Sequence, residues 1–432
     1  MPDTAGPSPR PAAARGRSHR LLPLQARDPH EEGRGSSPLE LLFDLTFVIG
    51  VGVAAESLTD LVAGGRAGPA IVGFVFAMFA ILAGWINFSW FASAFDSDDW
   101  GYRICTMIQM IGVVVLALGL PSTFHSIEVG RHVDVRLLVA GYVVMRVGMV
   151  ALWWRAARGS STYRRVATRN ASAILVVQVC WVVFALVNLS LLPTFVVIAA
   201  LGTLELLIPV FAQGRASGTP WHPHHIADRY SAFAIIALGE GVVGTVASSR
   251  SALGGSNGLH WDGAAVLIVI AGVGLTFAMW WTYFLTPFGD LLHHRPARGY
   301  LFGYGHIPVL MAIAATGAGL HGAGLFLQGD SHLSGTEVML AVAGPVAIYL
   351  LGVYGLHTLL FGTADGFHLV LMAATLTLLA ISVAGTAAGL AMPVALLIVT
   401  TAAFIPVVGY ECVGHRHQTE MLRSLAKDSQ SS

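Results

Sequence analysis

The sequence predicts an all-α, polytopic integral membrane bundle of about 12 transmembrane helices. Of its 432 residues, 55% are apolar and 11% charged, against about 25% charged in an average soluble protein. The mean hydropathy is +0.69. Twelve runs are apolar and long enough to cross about 30 Å of hydrocarbon, which takes roughly 20 residues of helix. The charges balance, 24 basic against 24 acidic, so no net field draws the chain to nucleic acid. Cys105, Cys180 and Cys412 stand far apart in apolar stretches, which excludes a disulfide framework and a CxxC motif.

Residues 1–36 are rich in Pro, Gly, Ala and Arg, lack an apolar run, and read as a disordered tail. No signal-peptide core follows its charges. The first run, 39–62, carries Glu40, Asp44 and Glu56 and is the least apolar. Runs at 69–94, 103–121 and 134–155 follow, then 171–191 and 193–212, divided by a short break at Pro193. The second set is 226–249, 262–286, 303–328, 337–361, 368–389 and 393–412, with a short break near Pro393. A short polar tail, 414–432, closes the chain. Arginines set the orientation. The N-terminal tail holds six, from Arg10 to Arg34, and the same side receives Arg103, Arg155, Arg158, Arg164, Arg165, Arg169, Arg215, Arg295 and Arg298. The opposite side receives only Arg66, Arg131, Arg136 and Arg250. The bias predicts a multi-pass protein of the bacterial inner membrane with both termini cytoplasmic.

The two halves, 37–215 and 216–413, resemble one another. Trp90-Phe91-Ala92-Ser93-Ala94-Phe95-Asp96 ends the second run, and Tyr283-Phe284-Leu285-Thr286-Pro287-Phe288-Gly289-Asp290 ends the eighth. Leu138 to Val143 in the fourth run resembles Ala341 to Val346 in the tenth, and Gln109 and His306 hold similar places in the third and ninth. Six crossings per half give both halves one orientation. This predicts a 6+6 internal duplication about a pseudo-twofold axis along the membrane normal, a plan used by some transporters.

Five ordered motifs resemble the bacterial low temperature requirement protein A family, over about residues 37 to 410. They are Ser37-Pro38-Leu39-Glu40-Leu41-Leu42-Phe43-Asp44-Leu45-Thr46-Phe47-Val48, then Phe95-Asp96-Ser97-Asp98-Asp99, then His222-Pro223-His224-His225-Ile226-Ala227-Asp228-Arg229-Tyr230. Ile235-Ile236-Ala237-Leu238-Gly239-Glu240 and Tyr304-Gly305-His306-Ile307-Pro308 complete the set. Asp228 replaces the usual Glu, Tyr230 the usual Phe, and Gly241 the usual Ser, removing a hydroxyl beside Glu240. The resemblance implies a multi-pass membrane fold in a family named for growth in the cold. It carries over no catalytic residue.

Charge in hydrocarbon costs at least about 2.5–3.5 kcal/mol at a helix centre, so embedded ionisable groups need partners or water. At about 1.5 Å per residue, Arg146, Glu205 and Glu240 fall near mid-depth. One guanidinium and two carboxylates at one level read as a buried pair with a spare, proton-carrying acid, or as a static pair locking helices. Glu40 and Asp44, four apart, share a face. They read as an inner-gate acid pair or cation site. Glu40 also fits the third position of a capping box opened by Ser37 and Pro38. Asp44 either lines a cavity or pairs with a base. Asp228 suits the dipole at a helix start and Arg229 does not, so Arg229 is expected to meet an acid: Asp44, or one of Asp96, Asp98 and Asp99. That acidic group either binds a cation through oxygens or divides into a cap, Asp98 or Asp99, and an Asp96–Arg103 pair. His222, His224 and His225 allow a transition-metal site, but no tight ligand motif exists, and no metal or cofactor is assigned. His306 reads as an imidazole titrating near neutral pH or as a hydrogen-bonded packing residue. Trp85, Trp90, Trp153, Trp154, Trp280 and Trp281 are expected in an aromatic belt, and Asn87 between helices.

No Walker A, Rossmann, HExxH or GxSxG motif is present. The expected partners are the lipid bilayer and protons, ions or a small solute, with no nucleic acid. The leading function is a secondary transporter or ion-conducting protein using membrane-embedded carboxylates. Two others remain: an integral-membrane enzyme acting on a lipid or quinone, and a structural or sensory membrane protein for growth in the cold.

Overall fold

The computed structural model describes residues 21–130, 132–187, 189–213, 218–255, 258–259, 263–363 and 366–430. The first twenty residues of the tail, Arg131 and Arg215 lie outside them. Twelve helical segments among the described residues are long and apolar enough to cross a membrane. In the first half these are α1 (Pro38–Ala63), α2 (Ala67–Phe95), α3 (Trp100–Val129), α4 (Arg136–Gly159), α5 (Arg164–Leu186) and α6 (Leu191–Gln213). The second half holds α7 (Pro223–Leu253), α8 (Gly263–Phe284), a short α9 (Phe288–His294), α10 (Gly299–Gln328), α11 (Gly335–Phe361), α12 (Gly366–Ala387) and α13 (Met392–Gly409). A π-helical turn, Tyr410–Gly414, leads into α14 (His415–Gln430).

Local chemistry sets the ends. Ser37 and Glu40 form the expected capping box, each side chain accepting the other's backbone N–H, with Pro38 at the first helical position. Ser334 and Glu337 do the same for α11. Gly130 and Gly329 end α3 and α10 at φ of 80° and 81°, a left-handed conformation that glycine adopts without a Cβ clash.

Several boundaries differ from the sequence expectation. The fifth break lies at residues 187–190, and Pro193 sits in the first turn of α6, where its missing N–H has no intrahelical acceptor to lose. Helix α3 runs on through Pro121 to Val129. The polar tail continues as α14, and Gln418 donates to the Leu285 carbonyl at 3.0 Å. The tail before Ser37 was expected to be disordered throughout. From residue 21 it is instead fastened to the bundle: Leu24 is buried, Arg27 N–H donates to the Ala94 carbonyl, and Arg34 donates to the carbonyls of Ser93 and Ala92 at 2.7 and 2.9 Å.

The packing order of the first half recurs in the second. Helix α1 packs on α2 and α3, and α3–α4, α4–α5 and α5–α6 follow in series. Helix α7 packs on α8 and α10, and α10–α11, α11–α12 and α12–α13 follow. The halves meet where α1 and α2 touch α7 and α10. They differ in closure: α13 lies broadly against α8, whereas α6 touches α2 only lightly. Leu41, Leu45 and Ile49 of α1 and Leu175, Val176, Val179 and Val183 of α5 point outward, apolar surface that the bilayer covers.

Small residues let backbones meet. A Cβ on Gly141 of α4 would overlap the Leu116 backbone nitrogen, and one on Gly112 of α3 would overlap Met145 and, at 2.7 Å, the Gly141 carbonyl. Backbone has no rotamer to escape into, so Gly141→Val is expected to destabilise by about 1–3 kcal/mol or more. Gly344 has open space where its Cβ would stand, and Gly344→Ala is the control. Equal unfolding midpoints for the two variants in a denaturant titration would contradict the close approach.

Candidate functional site

The structure divides the predicted polar residues into two buried groups, a surface ring and one isolated acid. The first group lies between α1 and α7 at the end of the bundle where both helices start. Asp44 Oδ1 receives Arg229 Nη2 and Trp85 Nε1, each at 2.6 Å. Arg229 Nη2 also reaches Ser89 Oγ at 3.2 Å, and its Nη1 lies 3.8 Å from Glu40 Oε1. His225 Nε2 lies 3.2 Å from the same Glu40 oxygen. Asp44 and Arg229 side chains are 0% exposed. Arg229 thus meets Asp44, as its unfavourable place near a helix start required, and Glu40 caps α1 while facing α7. Glu40–His225 and Asp44–Arg229 are both 185 residues apart. So are Pro38 and Pro223, which open the two helices. Equivalent positions of α1 and α7 therefore face each other.

The second group lies at mid-depth in the first half. Arg146 Nη2 donates to Glu205 Oε2 at 2.9 Å and to Tyr142 OH. Gln178 Nε2 donates to Glu205 Oε1 at 2.6 Å. Both charged side chains are nearly inaccessible, at 2% and 1%. This pair lines a small cleft between α2, α4, α5 and α6 on one side and α10 on the other. Asn87, Trp90, Trp153, Asn170, Tyr300 and Tyr304 line it. The loose α2–α6 contact leaves this space, and Tyr304 OH bridges it to the Leu206 carbonyl at 2.7 Å. In the second half, between α8, α11, α12 and α13, another small cleft is lined by Tyr354, His357 and His368 and by no acid or arginine.

Glu240 joins neither group, so the expected three-residue pocket with Arg146 and Glu205 is not formed. It is half-buried on α7, wedged between Gly52 of α1 and Gly317 of α10: a Cβ on Gly52 would stand 2.9 Å from Glu240 Oε1, and one on Gly317 would stand 2.8 Å from Glu240 Cβ. Its charged neighbour is Glu56, another acid. Rise per residue gives depth along a helix and says nothing of the direction in which the side chain points.

The surface ring covers the end where α1 and α7 start. Asp99 caps α3 by accepting the Tyr102 N–H at 2.8 Å, and it also takes Arg155 at 2.6 Å and the Leu22 N–H at 3.2 Å. Burial pushes its carboxyl up, but the Arg155 and backbone hydrogen bonds outweigh it and hold it below the ordinary aspartate value. The expected Asp96–Arg103 pair is replaced by Asp96–Arg27 at 3.1 Å and Asp98–Arg103 at 2.8 Å, because the ordered segment before α1 brings Arg27 over Asp96. Burial, reinforced by Glu40, pushes the Asp96 carboxyl up. Asp228 lies in the second turn of α7, which begins earlier than expected, and accepts from the Ser36 N–H and hydroxyl at 2.7 and 2.6 Å.

The histidines do not converge. His222 Nε2 meets the Glu31 carbonyl at 2.9 Å, His225 meets Glu40, and the His224 ring stands 5.8 Å from that of His293. Burial lowers the His222 imidazole below its usual value. Among the described residues no group of three His, Cys, Asp or Glu is placed to hold a metal ion. His306 has the surroundings that the packing reading calls for. It is fully enclosed, its Nδ1 reaching the Phe302 carbonyl at 2.7 Å and its Nε2 the Tyr283 hydroxyl at 3.0 Å. Since a carbonyl only accepts, Nδ1 carries the proton and Nε2 accepts from Tyr283.

Sequence reasoning missed Trp85, Ser89, Tyr142, Gln178 and Trp153 as site residues. The tryptophans were expected in a belt, yet Trp85 and Trp153 are buried, while Trp154 and Trp280 are exposed. Gln178 carried a signal, an amide in the middle of an apolar run.

Residues 35–403 match the family described as bacterial low temperature requirement A protein (LtrA). An uncharacterized protein of Rhizobium meliloti (strain 1021) is 25% identical over 303 residues, covering 67% of this chain and 69% of that protein. No solved structure matches. The match begins before α1, ends within α13 and takes in both buried polar groups, so the chain belongs to the bacterial low temperature requirement A family.

Proposed function

We propose that this chain is a secondary transporter or ion-conducting protein of the bacterial inner membrane, with cytoplasmic termini and two duplicated six-helix halves. The observation that carries the reading is the cleft lined by Arg146 and Glu205. It sets a buried ion pair beside open space between the first half and α10, where a pair sealed on every side would only lock helices. The arginine bias supports the orientation. The recurring packing order and the constant spacing across the α1–α7 contact support the duplication. In this reading the Asp44–Arg229 and Glu40–His225 contacts close the cytoplasmic end of the axis between the halves. An enzyme acting on a lipid or quinone would need His306, Asp44 or Glu240 on an apolar groove, and the first two are enclosed.

The test is flux in liposomes containing the purified protein, under imposed proton, sodium, potassium and solute gradients. Glu205→Gln preserves the side chain's shape but removes the charge and one of the two acceptor oxygens that Arg146 and Gln178 use. It is expected to lower flux at least about tenfold, a barrier change of about 1.4 kcal/mol, while the protein remains folded. Absence of flux in the unaltered protein under every gradient would overturn the reading.

A further inference from the structure

The cleft holds more unsatisfied hydrogen-bonding capacity than its ion pair explains. Four residues of its lining each carry a buried polar atom with no partner: Asn87 Oδ1, Arg146 Nε, Trp153 Nε1 and Tyr300 OH. Arg146 and Trp153 are 2% and 5% exposed. A buried polar group left without a partner costs about 1–3 kcal/mol, and four around one space mark a place where a bound molecule or water completes the set. The remaining lining groups are already committed. Asn170 donates to the Val166 carbonyl, Tyr304 to the Leu206 carbonyl, and Trp90 to Tyr230.

The four atoms also state what they need. Arg146 Nε and Trp153 Nε1 only donate, so they require an acceptor. Asn87 Oδ1 only accepts, so it requires a donor, and the Tyr300 hydroxyl serves either. The charges favour a neutral ligand over an ion. Glu205 is neutralised by Arg146 and fixed by Gln178, so it offers no free charge to a cation. A cation would also meet the guanidinium. An anion would compete with Glu205 for Arg146 and lie against a carboxylate. The Trp90, Phe91 and Trp153 rings supply apolar faces for a carbon skeleton.

We propose that the cleft binds a small uncharged solute that carries a hydrogen-bond donor and an acceptor within a few atoms of each other, of the amide or polyol type. Asn87, Arg146, Trp153 and Tyr300 would recognise it, and the Arg146–Glu205 pair would form a neutral floor. This deepens the transport reading and rests on taking the cleft as the solute path. Binding itself is measurable without flux.

Three isosteric probes separate the charge states: neutral acetamide, anionic acetate and cationic acetamidinium. Saturation-transfer NMR on the methyl group of each, with the full-length protein in nanodiscs, reads occupancy. Acetamide is expected to bind, and the other two are not. Trp153→Phe and Asn87→Leu each remove one hydrogen bond and are expected to weaken acetamide about three- to tenfold. Tyr300→Phe, at a half-buried position, provides the same reading if either of those variants fails to fold. Stronger binding of acetate or acetamidinium, no acetamide binding, or acetamide binding unchanged in every folded variant would overturn the proposal. Acetamide binding by a protein that shows no flux under any imposed gradient would leave this site standing and remove the transport reading.

Discussion

Glu205→Leu is expected to destabilise the protein by about 3–5 kcal/mol, and by more than Arg146→Leu does. Breaking a buried pair from one side leaves the other charge uncompensated, with a cost in that range. The two sides are unequal because their chemistry is unequal. A guanidinium cannot shed its proton at any working pH, so Arg146 without Glu205 stays charged, with Tyr142 as its hydrogen-bonding partner. A carboxylate without its arginine can take up a proton and stay hydrogen-bonded to Gln178, which now reaches it at 2.6 Å. Replacing both with leucine removes both charges and is expected to recover most of the loss, as buried pairs exchanged for apolar residues often do. Unfolding midpoints of the two single variants and the double variant decide the matter. An Arg146→Leu protein as unstable as Glu205→Leu, or a double variant worse than either, would show that the pair is not isolated from other charges. The same comparison separates stability from function, because the double variant is expected to be folded and to lack the flux attributed to the cleft.

The fold was legible because a bilayer leaves a chain few choices. An unpaired backbone polar group in hydrocarbon is costly, so each crossing must be a complete helix. Twelve apolar runs of sufficient length therefore read as twelve crossings. Some of the site was legible for equally local reasons. Arg229 opposes the dipole near the start of α7 and so needed an acid, which Asp44 supplies at 2.6 Å. Ser37, Pro38 and Glu40 announced a helix start by their spacing alone. Azimuth was not legible. Run starts put Arg146, Glu205 and Glu240 at one expected depth, but α7 sets Glu240 against Gly52 and Gly317, away from the Arg146–Glu205 pair. Belt statistics misplaced Trp85 and Trp153 because a tryptophan near a helix end faces lipid or protein according to its neighbours. For Trp85 the deciding neighbour is Asp44, an acceptor 2.6 Å away on another helix. The pairing of Asp96 followed from a segment before the first crossing, whose composition alone reads as disorder.

Arg229→Leu is expected to loosen the terminal end of α1 and α7, at a cost again of about 3–5 kcal/mol. The variant leaves Asp44 and Glu40 on one helix face, with His225 and the Ser37 N–H to answer Glu40 and the uncharged Trp85 to answer Asp44. Their mutual repulsion pushes on the contact that the arginine had closed. Because the charges sit in the first two turns of α1 and α7, the effect should be local: amide hydrogen exchange is expected to rise in residues 38–48 and 223–233 and to stay unchanged around Gly112 and Gly141, where α3 and α4 pack backbone to backbone. Arg229→Lys keeps the charge but cannot reach Asp44, Ser89 and Glu40 together as a guanidinium does, and an intermediate rise is expected. Asp44→Asn still accepts from Trp85 and leaves Arg229 facing Glu40, 3.8 Å away, so it should cost less than Arg229→Leu. Exchange that rises uniformly through the bundle in Arg229→Leu, or does not rise at the two helix starts, would show that this cluster does not hold the halves together there.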